Sequence, residues 1–409
     1  MKSIILSSLI LGLAAATPVI NQRQDASPSS VSPSSTPNPA APPDAVVSAA
    51  QAAGSGSSDS ADAGDAEPEE ASTYDPTAVA ADIAAQIANA PPAAVTSDAA
   101  NLVTSDTRKR DVRDAVVCTT RTFNGPQVTV PTDSPGAFQA YQPFADAANE
   151  AAEAENVPQG YAVVPGFVNL QATAKDPSYL TYVSSKLASY NPAQCAAICD
   201  AMSGCTAFNI YYERVPLVVS KSTQVPDKNA CPGLATSPSA TLIKCAFYGM
   251  PLLYTEATNV GQFQGQFQVV MASSNAYVKS SAPSLDGYEG PVSFGNKAIN
   301  APAPVISHGF LRSQTFGTNV PYDPSLCATT CAALTTYNAK HGTMNGQACV
   351  FFDAYIWYKN GADGVFTCAF YGVPYGVSYA TNVGQYNNAG DHWTVGSSYG
   401  YYLDGYYVE

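Results

Sequence analysis

The sequence predicts an α+β protein made of two tandem, small, disulfide-stapled modules, each with one helix packed on an antiparallel sheet, behind a disordered N-terminal region. Three observations carry this expectation. A cysteine-and-aromatic pattern occurs twice, from Tyr190 to Phe267 and again from Tyr322 to Trp393. Each copy opens on a helix-start signal and continues in short runs rich in aromatic and β-branched residues, the composition of strands. All ten cysteines lie at or beyond Cys118, whereas Thr17 to Thr107 is dominated by Ala, Ser, Pro and Asp.

The elements follow in chain order. Residues 1–16 read as a secretory signal, with Lys2 at the charged end, an apolar stretch from Ile4 to Leu13, and Ala14-Ala15-Ala16 as the cleavage site. That stretch is too short to span a bilayer, and no later segment approaches the roughly 20 apolar residues a membrane helix needs. Residues 17–110 hold too little apolar surface to offset the entropy of ordering and are expected to be disordered. One exception is Asp75 to Ala90, where Val79, Ile83 and Ile87 recur at helical spacing behind an Asp-Pro start. The region ends in Arg108-Lys109-Arg110, which resembles a kexin-type processing site and marks 17–110 as a propeptide; the plainer reading is a charged linker. From residue 111 onward there are 13 Lys+Arg against 20 Asp+Glu, so half of the net charge of -14 lies upstream.

A lead-in over 111–159 contains Cys118 and, from Pro135 to Asn156, one or two helices whose shared face carries Phe138, Tyr141, Phe144, Ala148 and Ala152. The first module is expected over 160–282. Residues 283–304, rich in Gly, Pro, Ser and Asn, read as a linker, and the second module occupies 305–409.

Within each module the repeat has a physical logic. Tyr190-Asn191-Pro192 precedes Cys195 and Cys199, and Tyr322-Asp323-Pro324 precedes Cys327 and Cys331. The Asn or Asp side chain caps free N–H groups and proline suits the first helical turn, so a helix follows with both cysteines on one face. Cys205-x-x-Phe208-Asn209-x-Tyr211 and Cys349-x-x-Phe352-Asp353-x-Tyr355 then read as strands, as do the Cys-Ala-Phe-Tyr-Gly runs beginning at Cys245 and Cys368. Both runs are followed by Thr-Asn-Val-Gly-Gln and an aromatic residue, Phe263 or Tyr386. An even cysteine number in an exported chain favours five disulfides, and no cysteine or histidine spacing suits zinc.

This arrangement resembles the PAN/apple domain, in which a Cys-x-x-x-Cys helix is pinned across a curved sheet. The stretch from Cys118 to Glu409 also resembles a family of secreted fungal proteins with paired apple-like modules. The resemblance implies the pairs Cys195 with Cys245, Cys199 with Cys205, Cys327 with Cys368 and Cys331 with Cys349. Cys118 and Cys231 have no counterpart in the repeat and are paired with each other.

Candidate chemistry is sparse. Gly396-Ser397-Ser398-Tyr399-Gly400 matches a nucleophile elbow, but neither an acid nor a histidine follows in the required order. Asp391-His392-Trp393 combines acid, base and aromatic in one module only, so a strand start with Trp393 packed where Phe267 packs in the other copy is preferred. Asn209 and Asp353 are expected to bond nearby backbone, and convergence of Asp353, Asp363 and Asp391 is left open. Tyr399, Tyr401, Tyr402 and Tyr406, with Trp393, are the ligand-binding candidates, because tyrosines offer flat apolar faces with a polar handle. Loops 217–242 and 339–347 are where the copies are expected to differ in recognition.

No catalytic residue, metal or cofactor is expected, and the net charge of -14 disfavours nucleic acid. The sequence therefore points to a secreted, non-catalytic binding protein, extracellular or wall-associated, with a cell-wall polysaccharide or an extracellular protein as partner and no indication of oligomeric state. The alternatives are a structural wall or surface protein without a specific ligand and, last, a secreted hydrolase.

Overall fold

Both Asn/Asp-Pro pairs start helices as their chemistry requires. Asn191 Oδ1 accepts from the Ala193 N–H at 2.9 Å and Asp323 Oδ1 from the Ser325 N–H at 3.0 Å, with proline in the first turn of each helix. The structure is a computed structural model that describes residues 74–90, 118–120, 128–184, 187, 189–220, 236–264, 266–302 and 309–408. The signal segment, Arg108-Lys109-Arg110 and Cys231 lie outside the described residues, and so does the Cys118–Cys231 pairing.

In chain order the elements are α1 (Pro76–Asn89), β1 (Cys118–Thr120), α2 (Pro135–Gln139), α3 (Gln142–Ala151), β2 (Tyr161–Val163), β3 (Thr173–Ala174), β4 (Tyr179–Val183), α4 (Pro192–Asp200), β5 (Ala207–Pro216), β6 (Val218–Ser220), β7 (Ser239–Tyr248), β8 (Ala257–Asn259), β9 (Gln262–Gln264) and β10 (Phe267–Lys279). Module 2 continues with β11 (Tyr288–Gly295), β12 (Ala298–Ile299), β13 (Phe310–Thr315), α5 (Pro324–His341), β14 (Phe351–Lys359), β15 (Ala362–Tyr371), β16 (Ala380–Asn382), β17 (Gly384–Tyr386) and β18 (His392–Leu403). The class is α+β.

The two sheets have the same topology. Module 1 has the order β2-β10-β5-β7-β4 with β9 on β10, and module 2 the order β11-β18-β14-β15-β13 with β17 on β18; all these pairings are antiparallel. Among the described residues four disulfides hold the helices: Cys195–Cys245 and Cys327–Cys368 reach strands β7 and β15, and Cys199–Cys205 and Cys331–Cys349 reach the segments just before β5 and β14. The pairs that close 50 and 41 residues each contribute roughly 4 kcal/mol in the chain-entropy account.

Side-chain alternation buries both faces of each central strand. From β5, Phe208, Ile210 and Tyr212 join a cluster with Cys195, Cys199, Phe138 and Phe144, whereas Ala207 and Tyr211 join Val164, Phe167, Leu252 and Met271 on the opposite face. From β14, Phe352, Ala354 and Ile356 face the α5 side, and Phe351, Tyr355 and Trp357 pack with Phe294, Ile299 and Tyr375.

Two expectations need correction. Residues 283–304 are not simply a linker: β11 is the edge strand beside β18, and β12 belongs to a second, two-stranded sheet with β16. Their Gly-Pro composition reflects a bulged edge strand, with register shifts between Glu289 and Val292 and between Ser293 and Gly295. Neither module relies on a single helix. Module 1 also uses α2 and α3, and α1, the helix expected as the exception within an otherwise disordered region, buries Val79, Ile83 and Ile87 in the core of module 2. Those three side chains bring roughly 5 to 8 kcal/mol of gross apolar burial.

Candidate functional site

The most regular construction shared by the modules lies beyond the main sheets. It begins at Asn209 and Asp353, which are fully buried at matching positions of β5 and β14. Asn209 Oδ1 accepts from the Ala174 N–H of β3 at 2.9 Å, while its amide donates to Ser274 Oγ and to the Asn275 carbonyl, both at 2.8 Å. Asp353 accepts from the Ile299 N–H of β12 and from the Ser398 hydroxyl, both at 2.8 Å. Burial pushes the Asp353 carboxyl up to about 7 although both hydrogen bonds favour the ionised form. These side chains pin β3 and β12, as the expected backbone bonding requires.

Strands β3 and β12 pair in turn with β8 and β16, which run directly into Asn259-Val260-Gly261 and Asn382-Val383-Gly384. In each turn the asparagine side chain accepts from the glycine N–H two residues on, at 3.1 Å in module 1 and 3.0 Å in module 2. Gly261 and Gly384 adopt φ of +99° and +123°, and a Cβ would fall 2.2 Å from the Val269 carbonyl oxygen or 2.0 Å from that of Trp393. Only glycine admits that approach. The chain then returns as β9 or β17, paired with β10 or β18.

What the turns present is apolar and outward. Val260 is 63% exposed and Phe263 67%; their counterparts Val383 and Tyr386 are 58% and 70% exposed. Gln262 and Gln385, which precede the rings in the chain, are partly buried, and neither 257–264 nor 380–387 contains a charged residue. In module 2 the His392 ring stacks on Tyr386 with centroids 4.3 Å apart and planes at 14°. Each module therefore displays a rigidly built tip with an exposed aliphatic side chain and an exposed aromatic ring, and in module 2 the Lys359–Asp391 ion pair lies beside it through Asn387.

The tyrosines near the C-terminus divide differently from the expectation. Tyr401 and Tyr402 are core residues: their hydroxyls donate to the Pro283 carbonyl at 2.8 Å and the Tyr375 carbonyl at 2.7 Å. β18 lies between β11 and β14 with packed layers on both faces, so alternation sends neither ring to solvent. Tyr399 is half-buried at the edge of the α5-side core, 6.4 Å from Tyr322. Tyr406 and Tyr407 are exposed, with Tyr407 edge-on to Tyr402 at 5.1 Å. Trp393 is half-buried against Trp357, and it takes the register position of Val269, not Phe267, because Gln262 pairs with Val269 and Gln385 with Trp393.

The other candidates do not assemble a reactive centre. Ser398 is fully buried within β18, and the positive φ of Ser397 recurs at Ser273 of module 1, so the glycine-flanked serine marks a repeated bulge rather than a strand-to-helix elbow. Asp391 accepts from Lys359 Nζ at 2.9 Å, Asn387 Nδ2 at 3.0 Å and Asn360 Nδ2 at 3.1 Å, with the Lys359 contact foremost in holding it below the usual carboxylate range. It sits at the opposite end of β14 from Asp353, since its partner Lys359 is six residues along, or roughly 20 Å of strand. The side chain of Asp363 lies outside the described ones. Among the described residues no group of three or more His, Cys, Asp or Glu is placed to hold a metal ion, and no helix is long and apolar enough to cross a membrane.

Loop 217–242 falls largely outside the described residues, and 339–347 comprises the end of α5 and a 3₁₀ turn at Thr343–Gly346. Sequence reasoning registered Thr-Asn-Val-Gly-Gln-aromatic as part of the repeat but not as a site. The available signal was a valine placed between two turn-forming residues in both copies, where an Asx turn by itself calls for a polar side chain. The chain has no match among protein-family models, curated proteins or solved structures.

Proposed function

We propose that this is an exported, non-catalytic binding protein that grips an extracellular polysaccharide through its two repeated turns. The observation that carries the reading is the recurrence of the same exposed valine and aromatic ring on each module, at Val260 with Phe263 and at Val383 with Tyr386. Aromatic faces stack on the C–H faces of sugar rings. Two weak sites on one chain gain avidity on a repeating ligand, by about 10² to 10⁴ where geometry lets both engage. The cleavable leader read in the sequence and the four disulfides support export, and the resemblance to apple-like modules, which mediate adhesion elsewhere, supports a binding role.

The test is retention of the oxidised protein on insoluble chitin, β-glucan and cellulose, with and without competing soluble oligosaccharide. Phe263→Ala or Tyr386→Ala should each weaken retention, and the double substitution should abolish it with the fold intact, since both rings are exposed. Retention unchanged in the double variant would refute the assignment of the turns, and no retention on any of the three polymers would refute the ligand class.

A further inference from the structure

The contact between α1 and α5 spans the longest sequence separation of any helix pair in the protein and resembles a subunit interface more than a local turn. Val79, Ile83 and Ile87 form one face of α1 and are buried with Leu326, Leu334 and Tyr337 in the core of module 2. Both ends of α1 are tied to α5. The Tyr74 hydroxyl donates to Oδ2 of Asp323, the N-cap of α5, at 2.7 Å, and the Tyr337 hydroxyl donates to the Ala90 carbonyl at 2.9 Å. The tied positions are 16 residues apart in one segment and 14 in the other, N-terminal end to N-terminal end, so the helices run parallel. Tyr74 also lies against module 1, because a Cβ at Gly204 would meet its ring at 2.8 Å and Pro321 at 2.9 Å.

The modules differ where this contact is made. α4 spans 9 residues and α5 spans 18, and the added turns of α5 carry Leu334 and Tyr337. Module 1 is covered by α2 and α3 from the adjoining lead-in, whereas module 2 takes its cover from a segment that precedes module 1 in the chain. Residues 91–117 connect α1 to the rest and lie outside the described residues, and the sequence's only run of adjacent basic residues, Arg108-Lys109-Arg110, falls among them. The contacts described above join residues 74–90 directly to α5 and its surroundings.

We infer that the face of α5 carrying Leu326, Leu334 and Tyr337 is a docking surface whose occupant is residues 74–90 of the same chain, and that this segment stays bound as a separate polypeptide when the chain is cut between 90 and 118. Within the segment expected to leave as a propeptide, residues 74–90 are then a clamp that closes module 2 and touches module 1. The fragment 111–409 made without it would present Leu334 and Tyr337 to water.

The experiment starts from the purified full chain. A protease specific for paired basic residues hydrolyses the peptide bond after Arg110, and size-exclusion chromatography with native mass spectrometry follows under non-denaturing conditions. The expected result is co-elution of the N-terminal peptide with one 111–409 body at one-to-one stoichiometry, with separation only in denaturant. In the cut protein Ile83→Asp should lose the peptide, Ile87→Ala should release it faster than wild type, and Ala85→Asp on the exposed face should keep it. Elution of the wild-type peptide apart from a folded body would overturn the inference. So would a body of doubled mass joined by helices exchanged between copies.

Discussion

Asp353→Asn should make the protein more stable at neutral pH and remove a specific pH dependence. The Asp353 carboxyl is fully buried, with two hydrogen-bond donors and no basic partner among its described contacts, and its titration is pushed up to about 7. The corresponding group in the unfolded chain titrates near 3.9. Below about pH 4 both states hold the proton and this residue leaves stability unchanged. Between about pH 4 and 7 the unfolded chain releases its proton while the folded protein retains it, so stability falls with rising pH; above about 7 the loss is complete. A displacement of about three units at 1.36 kcal/mol each sets the ceiling on the order of 4 kcal/mol. Asparagine cannot ionise, and Asn209 shows that an amide at this position accepts from the neighbouring short strand and donates to the serine beside it. Both tryptophans, Trp357 and Trp393, belong to module 2, so their fluorescence during urea unfolding reports on the module that contains Asp353. Wild type and variant should be alike near pH 4 and diverge by roughly 2 to 4 kcal/mol by pH 8, with the variant more stable. Other titrating groups move both proteins together, so the difference isolates this residue. Parallel curves across pH 4 to 8 would refute the argument.

Three further substitutions test the interior and the turns. Lys244 Nζ lies 2.6 Å from Glu213 Oε2 and 4.6 Å from the Tyr182 ring centroid with both charged side chains almost wholly buried, an ion pair rather than an aligned hydrogen bond. Lys244→Met should therefore cost about 3 to 5 kcal/mol by stranding Glu213, and adding Glu213→Leu should restore most of it, as read by urea midpoints. Gly384→Ala places a Cβ against the Trp393 carbonyl oxygen at a φ few L-residues adopt, costing about 1 to 3 kcal/mol locally. It should reduce polysaccharide retention as much as Tyr386→Ala while hydrogen exchange quickens in β17 and not in β14.

The legible parts of this fold were those encoded by short-range chemistry. Helix starts followed from Asn191-Pro192 and Asp323-Pro324, and strands from runs such as Phe351 to Tyr358, because capping and alternation act over a few residues. The α1 helix was legible for the same reason, through Val79, Ile83 and Ile87, but its destination was not: Tyr337 lies 247 residues from Ala90, and nothing in a local stripe names its partner. The cluster from Tyr399 to Tyr407 misled because tyrosine density does not reveal whether a strand is central. Whether Tyr402 meets solvent depends on Phe294, Ile299 and Tyr375, which come from β11, β12 and the segment after β15. The Gly-Pro composition around Gly290 suggested a connector for a related reason, since glycine serves linkers and bulged edge strands alike.

Comparison of the modules with each other separates what the fold needs from what it does not. Interior positions have changed: the buried pair Glu213 and Lys244 of module 1 corresponds by register to Trp357 and Thr367 in module 2, and Asn209 to Asp353. A core accepts such exchanges when volume and polar partners are met in another way, as the hydrogen bond from Trp357 Nε1 to Tyr355 Oη illustrates at 3.2 Å. The turn tips show the reverse. Asn259, Gly261 and their counterparts are required by the Asx turn and by the close approach of backbone, but Val260 and Val383 point outward, and replacing them with a polar residue would leave both requirements satisfied. The rings at 263 and 386 likewise contribute little buried area. Exposed apolar groups give up no contact with water that folding would reward, so packing does not account for their presence in both copies. The binding role proposed above accounts for it, and on that proposal the tips, ahead of the buried tyrosines, are the surface on which to look for the ligand.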